Sequence, residues 1–157
     1  MEYHGSVRVS DHLLWLIQEP VSYELMWPPT GVQGFVHFGT DGAIIKTGVS
    51  GGLVDVTVSM LDAEPPMDTS WDDINEGDLR TTEGGVYVAG GYSFENIIPG
   101  RSDGLTPQGP TAHRVRVSAS GRALKYDEIG DDEKYLIEMW PTSEVAASTV
   151  VQFKSGR

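Results

Sequence analysis

Leu53-Val54-Asp55-Val56-Thr57-Val58-Ser59-Met60 decides the fold class. Val54, Val56, Val58 and Met60 fall on one side of an extended chain, and Asp55, Thr57 and Ser59 fall on the other. Strand side chains alternate between faces, so this pattern predicts a strand with one buried face and one wet face. The three valines are β-branched and fit a pleated surface better than a helix. His113-Arg114-Val115-Arg116-Val117-Ser118-Ala119 repeats the pattern: His113, Val115, Val117 and Ala119 point one way, with Arg114, Arg116 and Ser118 opposite.

Working outward, shorter alternating runs predict strands at residues 6–10, 34–38, 43–47, 85–89, 133–140 and 149–154. Residues 13–18 form an apolar run that suits either a buried strand or a turn of helix. Residues 21–27 read as extended and close at Pro28-Pro29. The 19 glycines and 9 prolines punctuate these runs. Thr40-Asp41-Gly42 and Gly84-Gly85 mark tight turns, and Pro65-Pro66 marks a stop after the Val54 strand. Residues 99–111 read as a long surface loop. The expectation is one all-β domain over residues 1–157, an antiparallel β-sandwich with few or no helices. A partly closed β-barrel is the alternative.

The chain carries 23 acidic and 11 basic residues, a net charge of −12. Phosphate binding needs clustered Lys and Arg, so nucleic acid is not expected as a direct ligand. An acidic surface steers basic partners toward itself. The absence of cysteine excludes disulfides, thiolate-zinc sites and cysteine nucleophiles. Leu13-Leu14-Trp15-Leu16-Ile17 is far shorter than the ~20 apolar residues of a membrane span. Met1-Glu2-Tyr3-His4-Gly5 lacks the basic start and apolar run of a signal peptide, so a cytoplasmic protein is expected.

The most acidic stretch holds Asp55, Asp62, Glu64, Asp68, Asp72, Asp73, Glu76 and Asp78, with no Lys or Arg between Lys46 and Arg80. Repulsion among these charges predicts a solvated loop and strand edge. A calcium loop starting at Asp73 fails in register, because Gly77 falls where a ligand belongs and no Glu closes the loop. Trp71 amid Asp68, Asp72 and Asp73, with Glu76 and Asp78 following, gives an aromatic anchor ringed by acid. That composition suits capture of a basic protein, such as a nuclease or toxin, and these six residues are the expected contact patch. One alternative pairs two of the carboxylates in a glycoside hydrolase or sugar-binding module, with Trp71 as a stacking platform. Another is a structural or assembly component of a phage or secretion system, which would self-associate through an apolar surface.

No catalytic residues, metal site or cofactor are assigned. His4, His12, His37 and His113 are dispersed, and no phosphate loop, nucleophile elbow or dinucleotide fingerprint occurs. His37 and His113 lie on alternating strands and read as satisfied core or edge residues. Arg114 and Arg116 share a strand face and are expected to pair with acids on a neighbouring strand, Glu133 and Glu138 being the partners in view.

Two resemblances follow from short motifs. Arg114-Val115-Arg116 with Ala119, Gly121 and Arg122, an acidic spacer, then Tyr135-Leu136-Ile137 and Trp140-Pro141, resembles a pattern in small, mainly actinobacterial β-rich proteins of uncharacterised function. In those the motif reads approximately R-V-R-x-x-A-x-G-R, then Y-L-I-x-x-W-P. The short acidic chain with Gln33-Gly34-Phe35 and Phe38-Gly39 is also similar to nuclease inhibitors of the competence protein J type. That resemblance implies an inhibitory role and transfers no binding residues.

Overall fold

The computed structural model describes residues 1–22, 25 and 34–157. Every named element among them is a strand: β1 (Glu2–Ser10), β2 (Leu13–Ile17), β3 (Val36–Gly39), β4 (Gly42–Lys46), β5 (Gly51–Met60), β6 (Asp73–Thr81), β7 (Tyr87–Gly90), β8 (Thr111–Ser120), β9 (Ile129–Gly130), β10 (Lys134–Pro141) and β11 (Thr149–Phe153). No helix among the described residues is long and apolar enough to cross a membrane. The extended reading of residues 21–27, closed by Pro28-Pro29, lies almost wholly outside the described residues.

The all-β expectation holds, but two stacked sheets are not what forms. All eleven strands belong to one sheet whose main path runs β11-β6-β8-β10-β5-β1-β2-β4-β3, with β7 on β2 and β9 on β5. It curls into an open half-barrel. The pairing is not purely antiparallel either: β10 lies parallel to β5 in register Tyr135↔Val56 and Ile137↔Val58. That parallel contact joins the early strands to the late ones and prevents separation into two sheets. β1 and β2 share only the pair Ser10↔Leu13, so the sheet turns a corner there.

Inside the curl, Val7 and Val9, Val54, Val56 and Val58, Tyr135, Ile137 and Met139, and Val115 and Val117 meet Leu14, Leu16 and Ile45 from beyond the corner. Burying each such aliphatic side chain contributes about 1.5–3 kcal/mol. A second cluster, Trp15, Ile17, Leu25, Ile44, Tyr87 and Ala89, packs on the other face of β2. Burial on both faces explains why 13–17 is a continuous apolar run and not an alternating one. Where the curl nearly meets itself, the Phe38 ring lies 2.2 Å from the point a Cβ on Gly77 would occupy. Only glycine permits that approach.

β6 is the strand that alternation did not reveal. Its sequence, DINEGDLRT, reads as a polar loop, yet it pairs with β8 along its whole length and with β11 on the other side. The expected solvated edge is an internal strand because its carboxylates are neutralised by Arg114 and Arg116 of β8 and by Arg122 just beyond it. Asp73 and Arg122 are both fully buried and paired at 2.8 Å. Arg122 also donates to the Lys46 carbonyl and lies over the Phe35 ring, 4.7 Å from its centroid.

Candidate functional site

The six expected contact residues do not form one surface. Asp73 is wholly buried; besides Arg122 it accepts from the Ser155 amide and hydroxyl at 3.0 and 2.6 Å. Glu76 accepts from Arg116 Nε at 2.7 Å on the outer face of the sheet. Asp78 accepts from Arg114 at 3.1 Å and from the Ala146 amide at 3.0 Å. Burial pushes the Asp78 carboxyl up, but the Ala146 and Arg114 hydrogen bonds outweigh it and hold the group below its usual range. Asp72 is half-buried and accepts from the Gly121 amide. Trp71 is half-buried, and its carbonyl accepts from Gln152. Asp68 alone is fully exposed, and there it accepts from the Ser70 amide and hydroxyl, which lower its pKa. Trp71 ringed by free acid is therefore not the geometry formed.

The arginine reading needs a matching correction. Arg114 and Arg116 do pair across strands, mainly with Asp78 and Glu76 of β6. Glu138 reaches Arg116 at 3.8 Å, and Glu64 reaches it at 3.2 Å. Burial, then the neighbouring Glu76 and Asp68 charges against the opposing pull of Arg116, raise the Glu138 pKa. The guanidinium sits among these carboxylates, over the Trp140 ring, and ties down the Pro65 and Pro66 carbonyls. Glu133 does not pair with either strand arginine. It turns inward and accepts from the Gly48 and Val49 amides and the Tyr135 hydroxyl. His113 is buried but not satisfied, since its Nδ1 has no partner.

The assembled site lies elsewhere, around the β1–β2 turn. Asp11 and His12 are the two central residues of that turn, with φ of 50° and 62°. A two-residue hairpin turn of this kind favours Asn-Gly, so two side-chain-bearing residues there hold a conformation that costs free energy. Side chains fix it in place. Asp11 accepts from the Tyr92 hydroxyl at 2.7 Å, a bond that raises the phenol's pKa. His12 Nδ1 faces the Thr47 carbonyl at 2.7 Å, and Nε2 faces Asp127 at 2.9 Å. Asp127 and Phe94, which flank the same region, also have positive φ, 61° and 50°. Strain gathered in one place points to a functional surface.

Beside this turn is a cleft of about 790 Å³, floored by Arg8, Gly51 and Gly52 and walled by Tyr92, Ile97 and Ile129. Next to it lies the segment 123–132, which includes β9 and in which Leu124 and Ile129 stand 69% and 73% exposed. Asp127, Glu128, Asp131 and Asp132 of the same segment are also exposed. Lys125 pairs with Asp132 at 3.3 Å, and His12 faces Asp127. In the sequence this segment is the acidic spacer between two strands. Its signal is the pair of large aliphatics five residues apart in a run otherwise too acidic to need them.

No protein-family model matches this chain, and no curated protein matches it. Among solved structures, it is similar to the protein described as crocagin biosynthetic gene J, with a TM-score of 0.53 and 11% sequence identity. The match covers 90% of this chain and 97% of that one. At this identity the likeness concerns the fold alone.

Proposed function

We propose that this chain binds a basic protein and, by occupying it, holds it inactive, in the manner of an immunity or nuclease-inhibitor protein of the cytoplasm. The observation that carries the reading is the exposure of Leu124 and Ile129 in one short segment with the exposed acids Asp127, Glu128, Asp131 and Asp132. Exposed aliphatics that share a short segment with exposed acids have the make-up of a protein-binding patch: the apolar side chains supply affinity, and the charge supplies steering and choice of partner. The adjoining cleft offers Asp11 and Glu95 at its margin, where an arginine or lysine from the partner could be met. Rigid turns at Asp11, His12 and Asp127 pre-form this surface and reduce the ordering cost of association.

Capture from a cell lysate at low salt, then release at high salt, tests the reading. A basic protein that elutes with salt, and is no longer captured by a Glu128→Lys, Asp131→Lys variant, is the expected result. Capture that is indifferent to both salt and charge reversal would sink it.

A further inference from the structure

The cleft beside the β1–β2 turn holds two charges that the protein itself leaves unmatched. Arg8 and Glu95 both line it. Among the described residues neither side chain makes a hydrogen bond, an ion pair or a ring contact. Every other arginine has a partner: Arg80, Arg101, Arg114, Arg116 and Arg122 pair with carboxylates, and Arg157 lies over the Tyr126 ring. Arg8 is bare even though the chain carries a net charge of −12 and two acids line the same cleft. Of those two, Asp11 is engaged by the Tyr92 hydroxyl, and Glu95 stands free.

A bare arginine on an open strand is ordinary solvation. Here the surroundings are those of a site. Tyr92, Ile97 and Ile129 are exposed and wall the cleft, and the bond to Asp11 holds the tyrosine in place. Gly51 and Gly52 keep its floor free of side chains. A Cβ on Gly51 would stand 3.1 Å from Ile129 Cδ1, so a side chain there would press on the wall. Ser10 follows Arg8 on the same face of β1, and Ser50 lies at the start of β5. Both line the cleft, and among the described residues their hydroxyls have no partner. Apolar walls with a few unsatisfied polar groups are the composition of a small-ligand site: the walls supply affinity, and the polar groups fix orientation.

We propose that this cleft binds a small apolar zwitterion. Its carboxylate meets Arg8, its ammonium group meets Glu95, and its apolar body lies between Tyr92, Ile97 and Ile129. A free apolar amino acid and a short peptide share that chemistry. A guanidinium and a carboxylate that line one cleft without pairing are both matched only by a guest carrying both opposite charges. A simple anion such as phosphate would meet Arg8 but be repelled by Asp11 and Glu95, and a simple cation would leave Arg8 unmatched. The cleft shares Ile129 with the acidic segment, but the site does not rest on capture of a basic protein.

Isothermal titration of the full chain tests this with leucine, phenylalanine and tryptophan, and with the homodipeptide and homotripeptide of each. Every probe is used uncapped, N-acetylated and C-amidated. At least one uncapped probe should bind saturably with a Kd of about 1 mM or below, and either cap should weaken it about tenfold or more. Tightest binding by an amino acid or by a peptide tells which of the two the cleft serves, and both support the proposal. Arg8→Gln should abolish the penalty of amidation and keep that of acetylation, and Glu95→Gln should do the reverse. Both side chains are exposed and without partners among the described residues, so both variants should melt within about 1 °C of the wild type. No saturable binding by any probe up to about 10 mM, caps that cost nothing, or variants that lose both penalties alike would each overturn the proposal. The titration contains no protein partner, so its failure leaves the capture reading standing, and a failed capture leaves this site standing.

Discussion

Replacing Arg122 with methionine tests the buried centre of this fold most directly. Arg122 and Asp73 have fully buried side chains 2.8 Å apart. Removing the guanidinium strands a carboxylate in the interior, a loss of about 3–5 kcal/mol. The Ser155 amide and hydroxyl remain on Asp73 and soften the loss. The bond to the Lys46 carbonyl and the contact over Phe35 disappear and deepen it. For a chain of this length about 2–4 °C of Tm accompanies each kcal/mol, so Arg122→Met should lower Tm by roughly 6–20 °C. Urea unfolding followed by tryptophan fluorescence gives the free energy. Adding Asp73→Leu to Arg122→Met should recover most of the loss, because an apolar pair can replace a buried ion pair at little cost. A loss below about 1 kcal/mol for Arg122→Met, or strict additivity of the two substitutions, would refute the argument that this pair closes the sheet around β6.

Gly77→Ala should cost about 1–3 kcal/mol in urea unfolding by forcing Phe38 from its place, and Phe38→Leu in the same chain should restore part of it. Burial lowers the pKa of His113 below the ~6.5 of the unfolded chain, so the unfolded state takes up the proton first and stability falls as pH drops below about 6.5. His113→Phe should flatten that acid-side decline, measured as urea midpoints between pH 7 and pH 5. Leu124→Ala with Ile129→Ala should leave Tm within about 1 °C, since both side chains are exposed, while weakening capture of the basic partner at least about tenfold.

The strands that could be read from sequence are those whose two faces meet different solvents. Around Val54 and around Val115 one face is core and the other is wet or charged, so alternation survives in the residues. β2 was ambiguous because both of its faces are buried, which erases the period. Alternation does not show β6 because three of its inward residues are Asp73, Asn75 and Gly77, stabilised by Arg122 and by the close approach of Phe38, while Leu79 joins the apolar core. A pattern of apolar residues cannot register a strand held by ion pairs. The same fact displaced the expected contact patch. The run from Asp55 to Asp78 holds eight acids, yet its β6 carboxylates meet arginines that lie 36 to 49 positions later. Linear density of charge says nothing about where those partners arrive. The 123–132 segment carries four acids, and all four are exposed, although Lys125 pairs with Asp132 and His12 faces Asp127.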